Sequence, residues 1–292
     1  MKKTIVILLT LVLIFGLILL PACNTQMVDA GKASTHQLTF EHDGLTREYT
    51  LYLPAGLTDN APLVFVLHGY TQTESDAISF RMNDVADANG FAVCYPKGTS
   101  DDSGNSHWNS RFTISDTDDI GFLSELAVFL QTEHSLNPSK TYSCGFSNGG
   151  FMSYTLACEA SDVFRAIASV GGTMSGYTWE TRNIANPIPI LQIHGTEDTA
   201  VPLDGSMSPI GGWGGAPPMS EVIKFWAGLS DCTNSHTEFI ENSTNATYYT
   251  DGINSNEVWF IQIDNMGHDW PTAKDKTGTI AVEVIWRFFS KY

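Results

Sequence analysis

Thr141-Tyr142-Ser143-Cys144-Gly145-Phe146-Ser147-Asn148-Gly149-Gly150 decides how this chain is read. Residues 141–145 form a short run with strand character, and 148–158 have the composition of a helix. Between them sits G-x-S-x-G, a serine flanked by glycines where a strand turns into a helix. The glycines are needed because such a turn is tight and neighbouring backbone comes close. The turn is a nucleophile elbow, which holds a serine hydroxyl exposed at its tip. Upstream, Leu67-His68-Gly69-Tyr70 closes another apolar run, at the place where such a site finds the second half of its anion-stabilising donors.

Outward from the elbow, the chain alternates between strand and helix patterns. Residues 36–40 and 47–53 alternate in polarity around Asp43-Gly44 and predict a hairpin. Continuous apolar runs at 62–67 and 91–95 predict buried strands. Residues 74–88 predict a helix ending at Asn89-Gly90, 97–117 a polar loop, and 118–134 a helix with Ile120, Leu123, Leu126 and Leu130 on one side. Strands are expected at 164–170, 188–193 and 257–263, and helices at 220–229 and 278–289. Residues 203–218, with their Gly-Gly-Trp-Gly-Gly-Ala-Pro-Pro run, read as an irregular insertion. The alternation implies an α/β class fold, a mostly parallel sheet with helices on both faces. With the elbow in place, that is an α/β-hydrolase fold spanning 36–292 as a single domain.

The N-terminus reads differently. Lys2 and Lys3 precede an apolar run of 17 residues from Thr4 to Leu20, then Pro21-Ala22-Cys23. This is the pattern of a signal peptide over 1–22. An uncleaved anchor is the alternative. Leu20-Pro21-Ala22-Cys23 resembles a bacterial lipobox, with Cys23 as the lipidated residue and 24–35 as a tether. The expected location is then exported, at the outer surface of a membrane. Cleavage would leave 270 residues, enough for one large core, and shift the formal charge from −17 to −19 because Lys2 and Lys3 leave and no acid does. With no basic cluster, nucleic acid is a poor partner.

A serine nucleophile needs a base, an orienting acid and an anion cradle. In this fold the order is serine, acid, histidine. Asp198 lies after the 188–193 strand and His268 after the 257–263 strand, both at carboxyl ends where sites gather. They are read as acid and base. Glu197 and Asp264 are rival acids. His194 is a rival base, more simply read as a packed histidine bonded to local backbone. Asp119 reads as a helix cap. No C-x-x-C or H-E-x-x-H pattern suggests a metal, and no cofactor is expected.

Six stretches carry a closer resemblance: 67–73, Asp118-Asp-Ile-Gly-Phe122, 145–150, Leu156-Ala-Cys-Glu159, Ile193-His-Gly-Thr-Glu-Asp198 and Gly267-His-Asp-Trp-Pro271. Together they resemble the esterase family of polyhydroxybutyrate depolymerases and bacterial feruloyl esterases, from about residue 38 to the C-terminus. The resemblance implies Ser147, Asp198 and His268 as the triad, with the backbone N–H groups of Tyr70 and Asn148 as the oxyanion hole. Polymer-degrading members often have cysteine where this chain has Tyr70. It implies an exported serine esterase acting on feruloyl or acetyl esters of polysaccharide. A poly(3-hydroxybutyrate) depolymerase is the second reading, and a non-catalytic binding lipoprotein of the same fold the remote one.

Trp108, Asn109, Trp213 and Trp270 are candidate substrate contacts, with core or loop packing the alternative for the tryptophans and the preferred reading of Trp270, and Trp213 lies in an insertion that has the character of a lid. Cys94 and Cys144 fall on strands separated by a third, about 9.5 Å apart and too far to bond. Cys158–Cys232 is a candidate disulfide for an exported protein, beside the alternative of none.

Overall fold

The computed structural model describes residues 31–184, 186–241 and 244–292. The expected signal peptide, Cys23 and most of the tether lie outside them. The strands are β1 (Ser34–His42), β2 (Leu45–Leu53), β3 (Leu63–Leu67), β4 (Ala92–Pro96), β5 (Thr99–Ser100), β6 (Ser106–His107), β7 (Thr141–Phe146), β8 (Ala166–Val170), β9 (Ile190–Gly195), β10 (Asn234–Phe239), β11 (Thr244–Thr250) and β12 (Val258–Ile263). The helices are α1 (Glu74–Ile78), α2 (Met82–Asn89), α3 (Asp119–Glu133), α4 (Asn148–Glu159), α5 (Gly176–Thr181), α6 (Met219–Leu229), α7 (Lys274–Thr277) and α8 (Ala281–Phe289).

Ten strands form one sheet in the order β1-β2-β4-β3-β7-β8-β9-β12-β11-β10. The six central strands, β4 to β12, run parallel, and antiparallel pairs close both edges. Alternation along the strands sorts side chains to two faces. Val64, Val66, Tyr142, Cys144, Ala168 and Ile193 face α1, α2 and α8. Leu63, Phe65 and Leu67 face α3 and α4, and Ile167 and Ile190 face α4 and α6. The sheet is thus covered on both sides, as its apolar runs require. The α/β-hydrolase expectation holds.

Several boundaries differ for identifiable reasons. The first strand starts at Ser34, so the tether expected through residue 35 gives way to sheet. Its hairpin closes through Asp43 (φ 48°) and Gly44 (φ 72°), a two-residue turn whose twist matches the strands. The helix expected over 74–88 is broken into α1 and α2 at Arg81 (φ 72°), with i→i+3 bonds from Phe80 and Arg81 tightening the turn. That break stacks Phe80 on Trp270, with ring centroids 4.2 Å apart. The expected loop 97–117 contains the small β5–β6 hairpin. Sequence reading missed α5, strand β11 and the edge strand β10, which is exposed along its whole length. Asp118, not Asp119, caps α3 by accepting from the Gly121 N–H. Cys94 and Cys144 are buried thiols on β4 and β7, with β3 between them. Cys158 and Cys232 are free thiols too, so the candidate disulfide is not formed.

Candidate active site

The site forms at the carboxyl ends of the parallel strands. β7 delivers Ser147, β9 delivers Asp198 three residues beyond Gly195, and β12 delivers His268. Ser147 adopts φ 51°, ψ −117°, a conformation that costs a non-glycine residue of order 1–3 kcal/mol. The neighbourhood enforces it. Ser147 N–H donates to Val170 O (2.8 Å), and Ser147 O accepts from Phe151 N–H (3.0 Å). A Cβ at Gly145 would lie 2.4 Å from the Gly149 backbone, and one at Gly149 would lie 2.3 Å from Leu67 O. Glycine is therefore obligatory on both sides of the serine.

Ser147, His268 and Asp198 join in one hydrogen-bonded chain. His268 Nε2 lies 2.9 Å from Ser147 Oγ, and His268 Nδ1 lies 2.7 Å from Asp198 Oδ2. A carboxylate only accepts, so Nδ1 carries the proton and Nε2 is free to accept from the hydroxyl. The second Asp198 oxygen accepts from Ala200 N–H (2.9 Å) and Val201 N–H (2.8 Å). Burial alone would push this carboxyl up. The hydrogen bonds from His194, His268 and Val201 outweigh burial and hold it well below the usual carboxylate range. Asp198 is therefore an anion with its oxygens already aimed. Glu197 is exposed and Asp264 makes no hydrogen bond to His268, so of the three acids only Asp198 orients the imidazole.

The two expected anion donors are also positioned from behind. Gly69 C=O and Tyr70 N–H share one trans peptide and point in opposite directions. His68 Nδ1 anchors that carbonyl at 2.7 Å, and His68 Nε2 accepts from Gly98 N–H at 2.9 Å. Accepting at Nε2 requires a neutral ring, and burial pulls the His68 pKa down to about 4. The buried carbonyl thus turns the Tyr70 N–H toward the cleft. Asn148 opens α4, where first-turn N–H groups have no intrahelical acceptor. Its side chain is clamped both ways on Trp108, accepting from the backbone N–H (2.7 Å) and donating to the carbonyl (2.9 Å).

That clamp corrects the reading of Trp108. Its side chain is fully buried and its Nε1–H donates to His68 O (3.0 Å), so it braces both donor loops and does not meet substrate. Asn109 is committed as well, its N–H to Asp119 Oδ2 and its amide to Thr117 O. Asp119 in turn pairs with buried Arg47 at 2.6 Å. Trp270 is buried in the Phe80 stack and edge-on to Phe146, so it packs behind His268 and does not reach the cleft. Trp213 is different. It stands edge-on to Tyr70 (5.0 Å) and Phe112 (4.8 Å) and lines a cleft of about 300 Å³ with Ser147, Tyr70, Phe151, Val201, Met207 and Ile210. Met207, Ile210 and Trp213 all come from the 203–218 insertion. Among the described residues, no lysine or arginine lines this cleft. Sequence reading missed Phe151, Met207 and Ile210. Only the position of Phe151 on the elbow helix and the apolar residues scattered in the insertion hinted at them.

Among the described residues, no three His, Cys, Asp or Glu side chains form a metal-ligating group, and no helix is long and apolar enough to cross a membrane. A family model described as esterase PHB depolymerase matches residues 47–201. A bifunctional acetylxylan esterase/xylanase of Neocallimastix patriciarum is 26% identical over 257 residues, covering 85% of this chain and 34% of that protein. Feruloyl esterase C of Emericella nidulans is 30% identical over 171 residues, covering 56% of this chain and 58% of its own length. The chain thus spans about a third to three fifths of these relatives. An acetyl xylan esterase structure from Aspergillus awamori superposes with a TM-score of 0.64 at 16% identity, covering 89% of this chain and 100% of that one, a likeness of fold.

Proposed function

This chain belongs to the PHB depolymerase family of esterases, and we propose that it is an exported serine carboxylic ester hydrolase with Ser147, His268 and Asp198 as its triad. The observation that carries the reading is the Asp198–His268–Ser147 hydrogen-bonded chain opening into an apolar cleft. His268 takes the Ser147 proton as the hydroxyl attacks the ester carbonyl. The Tyr70 and Asn148 N–H groups receive the oxyanion, a contribution of about 3–4 kcal/mol per donor in such sites. The imidazolium, held by Asp198, then protonates the departing alcohol. Water attacks the acyl-enzyme by the same route in reverse.

Feruloyl or acetyl esters of polysaccharide are the proposed substrates. A cleft walled by Phe151, Met207, Ile210 and Trp213 suits a flat or short acyl group, and the lack of cations at its wall gives an anionic substrate no partner. Relatives named for feruloyl and acetylxylan esters support this choice. Hydroxyalkanoate polyester is the second reading, favoured by the apolar wall of the same cleft and by a poly(3-hydroxyalkanoate) depolymerase among the relatives. Export through residues 1–22 and lipidation at Cys23 belong to the same proposal. Methyl ferulate and 3-hydroxybutyrate oligomers, each offered to the protein and to Ser147→Ala, test it. Ferulate release lost in the variant supports the lead. Turnover of the oligomers alone moves polyester ahead, and turnover of neither, nor of acetylated xylan, by the intact protein refutes the reading.

A further inference from the structure

Behind Asp198 lies a second buried histidine that the mechanism does not use. His194 and Gln192 are both fully buried on β9. Gln192 Nε2 sits 3.0 Å from Gly172 O and 3.0 Å from His194 Nδ1, while its Oε1 accepts from Tyr154 O–H at 2.9 Å. A carbonyl can only accept, so the Gln192 atom facing Gly172 is the nitrogen, and His194 Nδ1 must accept from it. The His194 proton therefore resides on Nε2. That atom lies 2.8 Å from Val201 O and 3.2 Å from Asp198 Oδ2. His194 thus holds both ends of the turn whose N–H groups grip the other Asp198 oxygen. Gly172, at the far end of the network, passes so close to Ser147 that a Cβ there would lie 2.5 Å from Ser147 O.

We infer that the Gln192–His194 pair is a positioning unit for the triad acid: a fixed imidazole tautomer that locks the Asp198–Val201 turn and presents Asp198 Oδ2 to His268. Asp198 Oδ2 has two imidazole neighbours, at 2.7 and 3.2 Å, His268 leading to Ser147 and His194 fully buried. The buried neighbour has no route to substrate, so its effect on rate passes through Asp198. A misplacement of about 1 Å in a reacting constellation is enough to cost about a hundredfold in rate.

The inference rests on the serine-hydrolase reading, and the test separates the two. Turnover of 4-nitrophenyl acetate is measured for the intact protein, Ser147→Ala, His194→Leu, His194→Gln, Asp198→Asn and the His194→Leu/Asp198→Asn double variant, with thermal melting of each. His194→Leu is expected to lower kcat about 10- to 100-fold with KM unchanged. His194→Gln, which restores an N–H near the Nε2 position, is expected to stay within about threefold of the intact protein. In the Asp198→Asn background the leucine substitution should cost less than about threefold further, because residues acting as a unit are not additive. Losses that multiply, a folded His194→Leu at full rate, or a His194→Gln as impaired as the leucine variant would overturn the inference. Should His194→Leu not fold, Gln192→Leu frees the tautomer and should lower kcat with KM unchanged; full activity there overturns it equally. Full turnover by Ser147→Ala would instead refute the underlying reading.

Discussion

Asn148→Ala separates what the Asn148 side chain does from what its backbone does. The side chain makes two buried hydrogen bonds to the Trp108 backbone, at 2.7 and 2.9 Å. Alanine leaves that N–H without a partner and that C=O with Ser110 N–H alone (3.1 Å), in a region where Trp108 is fully buried. The orphaned N–H costs about 1–3 kcal/mol and the lost bond to the carbonyl about 0.5–1.5, so the variant should lose roughly 1.5–4.5 kcal/mol. For a domain of this size that is a fall in Tm of about 3–18 °C. The Asn148 N–H itself survives the change, so the oxyanion donor remains, and kcat should fall less than about tenfold, against the 10²–10³ that loss of a donor brings. Asn148→Asp should melt lower still, because one carboxylate oxygen would face Trp108 O. Melting curves beside 4-nitrophenyl acetate kinetics decide it. An Asn148→Ala Tm within 2 °C of the intact protein would refute the clamp. An undisturbed melt with kcat down a hundredfold would make the side chain the donor and refute the backbone assignment.

Other consequences follow from the same contacts. His68 is neutral when folded and binds a proton only below about 4, whereas the unfolded ring does so below about 6.5. The unfolded state therefore binds more protons in that window, and stability should drop as pH falls from 6.5 to 4, by roughly 3 kcal/mol in full; denaturant midpoints of the protein and His68→Gln should converge toward acid, and parallel pH slopes would contradict this. Arg47→Met leaves buried Asp119 unpaired and should cost about 3–5 kcal/mol. Adding Asp119→Leu should recover part of that in urea melts, because the Asn109 N–H then loses its carboxylate acceptor. Trp213→Ala removes one cleft wall and should raise KM for methyl ferulate several-fold, about 1 kcal/mol, with little change in kcat for 4-nitrophenyl acetate.

Where function constrains the backbone, the sequence was most legible. The elbow glycines fall on the turn between β7 and α4 because only glycine tolerates the close approaches at Gly145 and Gly149, and Asp198 and His268 lie just beyond the ends of β9 and β12. The buried parallel strands were equally plain, since both of their faces must be apolar. β10 was hidden because an exposed edge strand buries neither face. Trp108 and Trp270 could not be sorted between packing and recognition by sequence, because aromatic residues beside a site serve either. Distinguishing them needed the long-range contacts to His68 and Phe80, which no local pattern encodes. His194 was read as satisfying local backbone, and it does bond Val201 O. Its approach to Asp198 depends on how the 198–201 turn folds back, which a linear motif does not show.

The most direct test of the account is to trap the acyl-enzyme. The protein is mixed with 4-nitrophenyl acetate, quenched within the first turnover and digested, and its peptides are weighed. The account predicts a burst of nitrophenol and an acetyl group on the peptide containing Ser147, both absent in Ser147→Ala. Steady hydrolysis with no acetylated Ser147, undiminished in Ser147→Ala, would contradict it.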